Sequence, residues 1–129
     1  MRSWEFEFAW TKPPLSLNYR MHHMQAATLT KTIRIETRAK TRNIPPLERC
    51  RVELFWYVNT RTRRDDENPV PTLKAMADAL VDNEIVPDDT HEWMVKAMPR
   101  IIYRPKSEGA ACMVLRITEI GVNDETDCD

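Results

Sequence analysis

The chain opens on an unbroken alternation. Trp4, Phe6, Phe8 and Trp10 fall on one side, and Ser3, Glu5, Glu7 and Ala9 on the other. A period of two is the pattern of a half-buried β-strand. The next stretch, "TKPPLSLNYRMHH" (11–23), reads as a loop, because Pro13 and Pro14 neither continue a helix nor donate to a ladder. Over 24–42 the period lengthens: Ala26, Leu29 and Ile33 share one stripe, predicting a helix that "IPP" at 44–46 ends. In "RCRVELFWYVNT" (49–60), Cys50, Val52, Leu54, Trp56 and Val58 face one way, and Phe55 and Tyr57 the other. A strand apolar on both faces belongs inside a sheet. Helical spacing returns at Leu73, Met76, Ala77 and Leu80, predicting a helix over 72–83. An acidic loop, 84–91, leads to two further strands near 93–102 and 111–120. The order β-α-β-α-β-β predicts an α+β (mixed α/β) fold, one mixed sheet carrying two main helices. The expected organisation is a single domain over 1–120 and a flexible acidic tail over 121–129.

Composition narrows the class. With 129 residues, 42% hydrophobic and 30% charged, the chain has the profile of one soluble globular domain. Two glycines against nine prolines exclude a glycine-rich phosphate loop. Acids interrupt the apolar pattern at the amino terminus, and no apolar run approaches the ~20 residues of a membrane span. A cytoplasmic protein without a membrane partner is expected. Cys50, Cys112 and Cys128 are odd in number and widely spaced, which fits reduced thiols better than a zinc site or a disulfide framework.

Charge changes the picture further. The formal net charge is −1, yet residues 31–64 hold ten Lys/Arg against three Glu, while the last eleven residues hold five acids and no base. A protein so segregated can bind an anion with one face. Lys31, Arg34, Arg38, Lys40 and Arg42 on the first helix, with Arg61, Arg63 and Arg64 after the second strand, are the candidate DNA-contacting surface. The stretch "RTRRDDENP" at 61–69 then runs from bases straight into acids. In extended geometry Asp65 and Glu67, two apart, would project together and could share a hard cation, with a third acid from "PDD" at 87–89. Lys74, near the start of the second helix, would be a point charge over the same pocket. Acids ahead of a helix also serve as ordinary caps, so spacing leaves both readings open.

The stretch "RRDDENPVPTLKAMADALVDNEIVPDD" resembles the core motif of the RusA family of Holliday junction resolvases, and "WTKPPLSLNYR" resembles that family's amino-terminal loop. The resemblance implies a RusA-like fold and a homodimeric, Mg²⁺-dependent (Mn²⁺ substituting) endonuclease that nicks two opposing strands of a four-way DNA junction. By motif position it implies Asp65, Glu67 and Asp89 as metal carboxylates and Lys74 as the helix lysine. It also implies Arg64 and Asn68 as the residues flanking the acids. The second carboxylate departs from the pattern, Glu67 standing where the family has Asp, unless Asp66 fills that place through a register shift. A branched-DNA binder that cuts weakly or not at all is the alternative this departure raises.

Overall fold

The computed structural model describes residues 1–121. It runs β1 (Ser3–Phe8), α1 (His23–Thr41), β2 (Arg49–Val58), α2 (Val70–Asp82), β3 (Met94–Lys96), β4 (Arg100–Tyr103) and β5 (Cys112–Ile120), with a 3-10 turn at Lys106–Glu108. The doubly apolar strand β2 is central, as its pattern requires. Antiparallel β5 lies on one side with β1 antiparallel beyond it, and parallel β3 and β4 lie on the other. The fold is therefore α+β, a mixed five-stranded sheet with two helices. The expected acidic tail lies, apart from Gly121, outside the described residues.

One face of the sheet forms the core. Val52, Leu54 and Trp56 of β2 stand opposite Ile117, Leu115 and Met113 of β5. Ile33 of α1 and Leu73, Met76 and Leu80 of α2 close over them. Burying each such aliphatic side chain stabilises the fold by roughly 1.5–3 kcal/mol. Trp56 brings a polar atom into this layer and satisfies it, its Nε1–H donating to the Thr11 carbonyl at 3.0 Å. Neither α1 nor α2 contributes to the opposite face. There the guanidinium of Arg116 lies 4.9 Å from the Phe55 ring centre and that of Arg104 lies 4.5 Å from Tyr57.

Four boundaries differ from the sequence expectation. The predicted strand over 93–102 is two short strands. Met94 pairs Cys50 while Arg100 pairs Phe55, so three residues (97–99) oppose two on β2, a bulge at Pro99, which has no N–H for the ladder. β1 stops at Phe8, and Trp10 stacks on it with ring centres 4.7 Å apart. α2 begins at Val70 rather than 72, because Pro71 occupies the first turn, where an N–H would be unpaired anyway. His22 is the N-cap of α1, its Nδ1 accepting the Met24 N–H at 3.2 Å. No described helix is long and apolar enough to cross a membrane.

Candidate functional site

Beyond β2 the chain carries its arginines into a braced loop. Arg64 donates to the carbonyls of Thr60 and Thr62 at 3.1 and 2.9 Å and to Thr60 Oγ1 at 2.7 Å. Its guanidinium also lies 5.3 Å from the Trp56 ring centre. Arg61 stacks on Tyr103 at 4.0 Å. Arg61 and Arg64 thus shape the loop, while Arg63 is exposed to solvent.

The acids that follow do not lie on extended chain. Asn68 N–H donates to the Asp65 carbonyl, and Val70 N–H to that of Glu67, both at 3.0 Å, so 65–70 is a pair of tight turns leading into α2. Asx and Pro chemistry favours such turns. The expected i, i+2 convergence of Asp65 and Glu67 therefore loses its geometric basis; both side chains, with Asp66, are exposed. Asp66 Oδ1 accepts the Ile101 N–H at a long 3.4 Å, at the edge of β4. The turn is anchored from the Pro-Pro loop. The half-buried Asn68 accepts the Leu17 N–H through its carbonyl at 3.2 Å. The buried Thr72 hydroxyl donates to the Leu15 carbonyl at 2.7 Å and accepts the Leu15 N–H at 3.1 Å.

Lys74 and Asp89, by contrast, meet. Lys74 Nζ donates to Asp89 Oδ2 at 2.6 Å and to Asp78 Oδ1 at 2.8 Å. Lys96 Nζ adds a bond to the Asp89 carbonyl at 2.6 Å and lies 3.3 Å from its Oδ2. The hydrogen bond from Lys74, reinforced by the charges of Lys96 and Lys74, holds the Asp89 carboxyl below its ordinary pKa. Asp78 first, then Asp89, raises that of Lys74. Asp78 and Lys96 escaped the sequence reading. The i, i+4 spacing of Lys74 and Asp78 on one helix was the available signal for the first; Lys96, in a three-residue strand, offered none. Lys74 and Lys96 also line a cleft of about 250 Å³ with Val70, Leu73, Met98 and Pro99.

The hard carboxylate oxygens of Asp65, Glu67 and Asp89 suit Mg²⁺ or Mn²⁺ chemically. Among the described residues, however, no three His, Cys, Asp or Glu side chains are grouped as a cation site. The basic helix is likewise divided. Arg34 makes a forked pair with Asp82, its closest contact 2.8 Å, and Arg38 lies 3.6 Å from the same carboxylate. Lys40 lies 5.1 Å from the Phe8 ring centre. Lys31 and Arg42 are exposed. A separate groove of about 750 Å³ between α1 and the Pro-Pro loop is lined by Trp10, Lys12, Tyr19, Arg20 and Leu29. Compared with known proteins, the chain matches no family model and no curated sequence.

Proposed function

We propose that this protein is a structure-selective endonuclease that resolves four-way DNA junctions by paired nicks through phosphodiester hydrolysis. The observation that carries the reading is the Lys74–Asp89 pair, which joins the lysine of α2 to the last acid of the acid–base motif at 2.6 Å. On this reading Asp65, Glu67 and Asp89, which are not grouped among the described residues, would have to converge on Mg²⁺ or Mn²⁺, which when bound would supply an activated water and neutralise charge on the phosphate. Lys74 and Lys96 keep Asp89 ionised. Lys74, held between Asp89 and Asp78, would also offer its ammonium to a phosphate oxygen as a compact point charge. Arg64 fixes the 60–64 loop so that the exposed Arg63 meets the DNA backbone, with Lys31 and Arg42 extending that contact along α1. The products are a 5′-phosphate and a 3′-hydroxyl.

A second reading, a branched-DNA binder that does not cut, is favoured by the two lysines already on Asp89 Oδ2 and by the extra methylene of Glu67. One assay separates the two: gel retardation and nicking of a synthetic four-way junction in Mg²⁺ and in Mn²⁺. On the nuclease reading the wild type nicks opposing strands. Asp89→Asn then loses at least about a hundredfold in nicking, the scale of one electrostatic catalytic group, while still retarding the junction. Retardation without nicking establishes the binder, and neither activity removes both readings.

A further inference from the structure

The groove between α1 and the Pro-Pro loop has a lining of one chemical kind. Trp10, Pro13, Tyr19 and Leu29 enclose about 750 Å³ with aromatic and apolar surface. That volume lies in the range of small-ligand sites, which are apolar with a few placed polar groups. Here the charged groups are cations: Lys12 and Arg20 line the groove, and no carboxylate does among the described residues. Both are exposed, and no described acid holds either, whereas Arg34 and Arg38 share Asp82. Lys12 Nζ lies 5.7 Å from the Tyr19 ring centre, so cation and ring stand together.

The lining is held in place before any ligand arrives. Trp56 Nε1–H donates to the Thr11 carbonyl at 3.0 Å, fixing the chain between Trp10 and Lys12. Trp10 is stacked on the buried Phe8, and the Tyr19 hydroxyl donates to the Pro13 carbonyl at 2.9 Å. The same loop carries Leu15 and Leu17, whose bonds to Thr72 and Asn68 tie it to α2 and the acid turn. The other wall includes Gln25, in a first turn of α1 that contains no acid. A helix amino terminus favours negative charge.

We infer that this groove takes one unpaired nucleobase of a DNA strand against the Trp10 and Tyr19 rings, with the adjoining phosphate on Lys12 and Arg20. A planar aromatic ring carrying an anion is what the lining complements, and such stacking accepts any base. An aliphatic ligand would leave the cations unused, and a bare anion would leave the rings unused. Paired duplex does not enter, because its bases are already stacked on one another. The inference deepens the DNA reading above and rests on it, but on binding alone and not on hydrolysis.

The test titrates the full chain with two single strands of equal length and charge, one oligo-dT and one built of abasic sites. Oligo-dT should bind about tenfold tighter, the scale of one stacked base. It should also quench tryptophan emission, which the abasic strand should not. Tyr19→Ala, checked for folding by far-UV circular dichroism, should bring the two affinities together. Trp10→Phe, which keeps a ring on Phe8, should abolish the quench. Lys12→Glu and Arg20→Glu, at exposed positions, should weaken both strands alike. Equal affinity of the wild type for the two strands overturns the proposal and leaves the groove to a ligand other than nucleic acid. A quench that survives Trp10→Phe overturns it as well. Junction nicking or retardation without discrimination between the strands removes only the groove; discrimination without nicking removes only the nuclease.

Discussion

Cys50 illustrates how far placement moves one side chain's chemistry. It is fully buried beside β3, and burial pushes its thiol up to about 12 from an ordinary 9.0. A raised acid keeps its proton in the native state after the unfolded chain has lost it. The corresponding stability is intact below pH 9.0 and is lost as pH rises toward 12. By pH 10.5 the loss is about 2 kcal/mol, from 2.303RT for each pH unit above the unfolded value. Urea unfolding from pH 8 to 10.5 should therefore steepen in wild type by that amount relative to Cys50→Ala; parallel curves would refute it. Nothing in the sequence distinguishes Cys50 from Cys112 chemically; both are buried and both thiols are raised, and what differs is the neighbours, since Glu7 further raises Cys112 while Arg104 lowers it. The motif resemblance names Lys74 and Asp89, but as a helix lysine and a metal carboxylate; that the two pair with each other is seen only in the fold. Asp65 and Glu67 were named by the same motif, but their geometry was misread, since the local turn bonds of 65–70 compete successfully with extended chain.

Among the elements, α2 is closed at its carboxyl end by a Schellman motif. Ile85 N–H returns to the Leu80 carbonyl at 3.1 Å and Glu84 N–H to that of Val81 at 2.9 Å. The motif needs a left-handed residue, and Glu84 supplies it at φ 60°, the one positive φ among described non-glycine residues. Left-handed backbone strains a side-chain-bearing residue, so Glu84→Gly should stabilise the protein by about 0.5–1 kcal/mol, the gain being reduced by glycine's extra freedom when unfolded. Thermal melts should show a rise of about 2–4 °C; a fall would mean that the Glu84 side chain contributes contacts worth more than the strain. The body of α2 and the alternating β1 were readable because one uninterrupted period spans each. The β3–β4 pair was not, because a bulge keeps the apolar content of a strand while breaking its register, and register depends on β2.

For the molecule as a whole, average charge conceals a basic side, but folding reduces the number of cations on it. Asp82 engages Arg34 and Arg38, and rings engage Lys40, Arg61 and Arg64. If about six phosphates are still engaged, junction affinity should fall with a log–log salt slope near −5. Fluorescence anisotropy between 50 and 200 mM salt measures it, and a flat response would remove the electrostatic surface from the account. Hydrophobic periodicity was enough to specify element types, their order, the central place of β2 and its core face. Those are local properties, set by how often a side chain must turn toward the interior. What became of the charges was settled by folding. Asp82 reaches Arg34 on α1, 48 positions away, and the two margins of the uncovered sheet face (Glu5 and Glu7 on β1, Arg100 on β4) acquire opposite sign because strand neighbours remote in the chain stand side by side. Long-range pairing brings together residues that no sequence window contains.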